Sequence, residues 1–206
     1  MVITIGREFG SGGRELGRRL AENLGIDYYD KEILTEIAKS TELSEQYVKQ
    51  AVEGKMTYMY PITIGHSLTF APDYQIKQVQ DIYRAQTEII RDYAAKSDCV
   101  IIGRCADYIL RDLKPIRIFV YADMEARIKR CMDRREEGDT TTAAEMKKHI
   151  QRIDKDRARY YSDFTGQDWG DKLFYDMCIN TSDIDLKALA RYLANMFQYG
   201  IRTPEE

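Results

Sequence analysis

The stretch Gly6-Arg7-Glu8-Phe9-Gly10-Ser11-Gly12-Gly13-Arg14 narrows the folds open to this chain more than any other segment. It is preceded by a short apolar run at 2–5, which reads as a buried strand. It is followed by Leu16, Leu20, Ala21 and Leu24 at helical spacing, with Gly25 as the stop. A glycine-rich turn between a strand and a helix lies at the carboxyl end of a parallel strand. There the free amides and positive dipole end of the helix face the gap. Gly10, Gly12 and Gly13 permit positive φ and close backbone approach, so the segment predicts a phosphate-binding turn, contributed by Gly10, Ser11, Gly12, Gly13, Arg14 and Glu15. A dinucleotide fingerprint fits less well, because Glu15 stands where glycine or alanine is needed. The loop also departs from GxxxxGK[ST]: counted to Gly12, the lysine position holds Gly13 and the hydroxyl position holds Arg14.

Beyond the loop, short apolar strands alternate with helices. Strands are predicted at 28–29, 99–102, 116–121 and 175–179, and helices at 31–39, 74–95, 125–135, 143–161 and 186–197. Asp30 can cap the helix that follows it, and Ser44 a further short helix. Residues 54–72, with Gly54, Pro61, Gly65 and Pro72, read as an irregular excursion, 136–142 as a polar linker and 200–206 as a loose end. Such alternation implies right-handed βαβ units and an α/β fold with a five-stranded parallel sheet covered by helices on both faces. A single domain spanning 1–206 is the simplest organisation.

A net charge of −3 argues against nucleic acid or an anionic membrane as partner, and no apolar stretch is long enough for a membrane span. The start of the chain carries no leader pattern, so the cytoplasm is the expected location. Cys99, Cys105, Cys131 and Cys178 lack CxxC spacing and are read as incidental thiols, and His66 and His149 have no partner spacing. Oligomeric state stays open.

Residues 3–5, the Gly10-Ser11-Gly12 core and the run from Leu20 to Gly25 align without a gap on the opening of bacterial cytidylate kinases. The pattern from Gly6 to Arg14, followed by Tyr29-Asp30-Lys31-Glu32, resembles the divergent cytidylate kinase-like family, and the resemblance runs to Ile179-Asn180-Thr181-Ser182. It implies a three-layer P-loop kinase fold with an acceptor-binding (NMP-binding) insert, at 54–96, and a small helical lid, at 134–160. It also implies small-molecule nucleotide substrates, with ATP and Mg²⁺ as cofactors. Asp30 falls at the family's monophosphate side, and Gly103-Arg104 at the segment whose arginine grips the acceptor phosphate. The aspartates flanking that segment are replaced by Ile102 and Cys105, which leaves Asp107 as the nearest carboxylate. Arg127 and Arg130 match basic positions leading into the lid. Asp154 and Arg157 match an Asp-x-x-Arg element returning from it, with Arg152 and Arg159 alongside.

Phosphoryl transfer needs positioned phosphates, spread positive charge and excluded water. On that basis the expected catalytic residues are Arg14, standing in for the missing lysine, with Asp30 and Arg157. Asp30, Arg104, Arg130, Asp154 and Arg157 are expected on the substrate, and the metal ligands are left unassigned. Arg134 and Arg135 read as a solvated helix face, and Tyr160, Tyr161 and Trp169 as packing. The leading expectation is transfer of the ATP γ-phosphoryl to a nucleoside monophosphate, nominally CMP. A kinase for another small acceptor, or a nucleotide-binding regulatory protein without kinase activity, are the alternatives.

Overall fold

The structure, a computed structural model, describes residues 1–52, 73–136 and 138–199. Five strands form one sheet: β1 (Val2–Arg7), β2 (Asp27–Tyr29), β3 (Cys99–Ile102), β4 (Ile116–Tyr121) and β5 (Met177–Asn180). All pairings are parallel and the spatial order is β2-β3-β1-β4-β5. β1 is therefore central, and the loop that follows it opens in the middle of the sheet's carboxyl edge, where α/β proteins place ligands.

The eight helices described are α1 (Gly13–Leu24), α2 (Glu32–Thr41), α3 (Glu45–Val52), α4 (Asp73–Lys96), α5 (Ala106–Ile109), α6 (Met124–Met132), α7 (Ala143–Thr165) and α8 (Leu186–Gln198). Period-two alternation in the strands divides the core. On one face Ile3, Ile5, Val100, Ile102, Ile118 and Val120 pack with α1 and α8; on the other, Cys99 and Ile101 pack with α2–α5 and with Tyr160 and Tyr161 of α7. Ile101 is fully buried, so Ile101→Ala would remove about 2–5 kcal/mol of stability. The arrangement is the three-layer P-loop kinase architecture expected from the sequence.

Several boundaries differ from the sequence reading. β1 runs two residues further, to Arg7, which carries that side chain to the edge of the sheet. Asp30 does not cap α2: the position before the helix is Lys31, with no side-chain cap, and the Asp30 carboxylate turns instead to Arg14. The Ser44 cap is present, its Oγ accepting from Tyr47 N at 3.2 Å. α7 opens on a capping box between Thr142 and Glu145, and it continues past 161 because Thr165 keeps the buried spacing, until Gly166 at φ 68° ends it. Of the span 134–160, residues 143–160 belong to α7. Of 54–96, α4 is described; the irregular excursion at 54–72, with His66, and the tail at 200–206 lie outside the described residues. Among the described residues no helix is long and apolar enough to cross a membrane.

Candidate functional site

The loop after β1 ends at Gly12, which has φ 86° and precedes α1 without any side-chain cap. A β-carbon at that position would stand 2.6 Å from Leu186 Cδ1, so both conformation and packing demand glycine. Ser11 is fully buried; its hydroxyl donates to the Glu8 carbonyl at 2.9 Å and accepts a long bond from the Gly13 amide at 3.4 Å. The next amides of α1, those of Arg14 and Glu15, have no acceptor among the described residues and remain available to an anion.

Behind the loop lies a closed network. Arg127, buried on α6, donates to the Phe9 carbonyl at 2.7 Å, pairs with Glu8 at 3.0 Å and pairs with Asp154. Asp154 in turn accepts from the Phe9 amide at 2.8 Å. Burial raises the Glu8 carboxyl, while the Ala122 amide and Arg127 oppose the shift. Arg130 donates to the Ser11 carbonyl at 3.2 Å and to Thr181, whose buried hydroxyl also donates to the Ser11 carbonyl at 2.6 Å. Charge and hydrogen-bonding capacity are matched throughout this network, which fixes the loop from its rear.

In front of the loop the balance is different. A cavity at the carboxyl ends of β1 and β3 is lined by Arg7, Arg14, Arg104 and Arg157, with Asp107, Tyr161 and Trp169 on its inner wall. Arg157 donates to the Arg7 carbonyl at 3.2 Å and lies over the Phe9 ring at 5.6 Å. Gly103, Arg104 and Cys105 are successive left-handed residues, at φ 64°, 60° and 53°. The two that are not glycine store about 1–3 kcal/mol of backbone strain each, of the kind found at ligand sites. Gln86, fully buried on α4, stabilises this turn by donating to the Arg104 carbonyl at 2.9 Å, and its own carbonyl accepts from Tyr160 at 3.3 Å. The Tyr161 hydroxyl donates to Asp107 at 2.6 Å, and burial raises the Asp107 carboxyl above the usual range. Arg14 pairs with the buried Asp30 at 2.5 Å, and the pair stands between this cavity and a more open groove beside α1.

A protein-held Mg²⁺ does not fit the described residues. They contain no group of three or more His, Cys, Asp or Glu placed to hold a metal. Five carboxylates around the loop and cavity are already engaged: Glu8 and Asp154 by Arg127, Glu15 by Arg19 and Arg134, Asp30 by Arg14, and Asp107 by Tyr161.

Of the residues expected at a site, Arg14, Arg104 and Arg157 line one cavity, with Asp30 on its Arg14 edge. Arg130 and Asp154 are turned to the loop backbone instead of the cavity. Glu15 binds Arg19 and Arg134, so Arg134 is not simply a solvated residue. Arg152 contacts His149 at 3.2 Å, and Arg159 pairs with Asp156 at 3.3 Å. Arg7 and Thr181 fall within the matched segments 6–14 and 179–182, where neither has an assigned role, and Gln86 is not part of the sequence reading. Only Arg7 carried a signal, as a charge ending an otherwise apolar strand.

Over most of its length the chain is similar to proteins already known. A curated cytidylate kinase from Methanopyrus kandleri is 28% identical over 193 residues, covering 88% of this chain and 85% of the relative. The crystal structure of an uncharacterized protein from Eubacterium ventriosum superposes with a TM-score of 0.68 at 30% identity, covering 97% of each chain. Shikimate kinase from Bacteroides thetaiotaomicron superposes at 0.56 with 11% identity, covering 96% of this chain and 98% of that one, a likeness of fold alone. The model of the cytidylate kinase-like family matches residues 2–183, and the chain belongs to that family.

Proposed function

We propose that this protein is a phosphotransferase that moves the γ-phosphoryl of ATP to a nucleoside monophosphate, with CMP as the nominal acceptor. The observation that carries the reading is the cationic cavity of Arg7, Arg14, Arg104 and Arg157, which reaches the first turn of α1 through Arg14. Guanidinium groups suit phosphate oxygens because they bind them in pairs, and the charge they place around a transferring phosphoryl group is what this reaction requires. On this reading residues 10–15 cradle the donor, Arg104 and Arg157 hold the acceptor side, and Asp30 orients Arg14 at the rim. Arg130 and Asp154 act on substrate through the loop they brace. Any magnesium would be held by the nucleotide's phosphates and water, since no cluster of the described residues is placed to hold it. A net charge of −3 supports small nucleotides, rather than nucleic acid or membrane, as partners in the cytoplasm.

The test is ADP release from ATP over a panel of nucleoside monophosphates and small alcohols, beside thermal shift with each ligand. ADP formation with CMP and saturable stabilisation by both ligands is the expected result. Turnover only with another alcohol or phosphate would replace the acceptor. Stabilisation by ATP with no turnover of any acceptor would favour a nucleotide-binding regulator.

A further inference from the structure

At the position of the missing loop lysine, Gly13 is not empty space. A β-carbon there would stand 2.6 Å from Arg7 Cβ and 3.2 Å from Arg7 Cγ, so the Arg7 stem already fills the place where a lysine stem would start. From there Arg7 crosses the end of the sheet to β3. Its Nη1 occupies the room that a side chain on Gly103 would take. Two glycines, one in the loop and one at the end of β3, thus leave a channel for one guanidinium. Among the described residues that guanidinium makes no hydrogen bond and no ion pair. It lines the cavity beside Arg104 and Arg157, with Arg14 across from it.

We propose that Arg7 is the cation that neutralises the β/γ-phosphates of the bound nucleotide, a polyphosphate contact made from β1 instead of from the first turn of α1. This rests on the phosphotransferase reading and moves the role expected for Arg14 to Arg7, since Arg14 is already paired with Asp30 at 2.5 Å. Electrostatics agree with the geometry. Burial pushes Arg7 well below the ordinary arginine range, and Arg157, Arg104 and, more weakly, Arg14 push it the same way, with Asp30 opposing. An arginine does not give up its proton, so the strain persists until an anion enters.

Arg7→Met retains most of the stem and removes the charge. Calorimetric titration with inorganic tripolyphosphate and with ATP, in the presence of a chelator, should show affinity falling by about tenfold to hundredfold, the loss of one charge-assisted phosphate contact. The ligand-free variant should melt no lower than the parent, because a crowded charge has been removed. The exchange variant Arg7→Gly with Gly13→Lys should recover part of the affinity that Arg7→Gly alone loses, since removing the arginine stem leaves Val120 Cβ at 3.2 Å as the remaining close neighbour. Parent-like affinity in Arg7→Met overturns the assignment while leaving the kinase reading standing. So does a lower melting point with affinity unchanged, which would make Arg7 a packing residue. A parent protein that binds neither tripolyphosphate nor ATP overturns the kinase reading and the assignment together.

Discussion

The two sides of the glycine loop are both rich in arginine, yet they use it in opposite ways. At the rear, Arg127 and Arg130 meet carboxylates, carbonyls and a hydroxyl at every turn. At the front, Arg7, Arg14, Arg104 and Arg157 line one cavity, and the Arg7 guanidinium has no hydrogen bond or ion pair among the described residues. A count of arginines does not separate these groups, but the distribution of acceptors does. Where the described residues supply the acceptors, arginine builds structure; Arg7, for which they supply none, is the position that the proposal above assigns to a ligand.

The largest effect that would test this contrast is on the rear side. Arg127→Ala leaves Glu8, Asp154 and the Phe9 carbonyl without their shared donor in a half-buried setting. A loss of about 3 kcal/mol is expected, as for breaking a buried ion pair by removing one partner. Differential scanning calorimetry should show a melting point lower by about 6–12 °C for a chain of this length. A smaller effect is expected at the rim. Arg14 is half exposed, so Arg14→Ala should cost about 1 kcal/mol in urea unfolding, and equal losses for the two variants would break the contrast. A further effect, visible only as pH changes, concerns the cavity wall. The raised Asp107 carboxyl keeps its proton longer in the folded than in the unfolded protein. Its stabilising contribution is therefore full below the ordinary carboxylate range, near pH 4, and is lost as pH rises through the raised folded value. Asp107→Asn removes that decline, so parent and variant stabilities should diverge with rising pH by about 1.4 kcal/mol per pKa unit of elevation. Parallel pH profiles would show that Asp107 is as well solvated as a surface carboxylate.

The sheet was legible because its strands announce themselves locally. Residues 99–102 are wholly apolar and closed by a glycine, and the helices flanking them keep helical spacing. α5 was not legible: four residues are too few to express a period. At the site, the loop and Arg104 could be read because strand ends and glycine turns are local features. Arg7 could not, because its role depends on two glycines, six and 96 positions away in sequence, that leave it room. Asp30 shows the same limit from the other direction. Its sequence context is that of a helix cap, and only tertiary structure gives it Arg14 as a stronger partner.

The rear network also sets an order of events during synthesis. Residues 8–11 leave the ribosome almost first, but the groups that shape them come last: Arg127 lies 118 positions beyond Phe9, Asp154 lies 145 beyond it, and Thr181 lies 170 beyond Ser11. Contacts of such sequence separation form late in folding. A nascent chain that stops before Thr181 has β1 but none of the closure by Thr181, so its glycine segment lacks that brace. Truncations that stop before β5 would therefore leave an intact glycine sequence without a formed cradle.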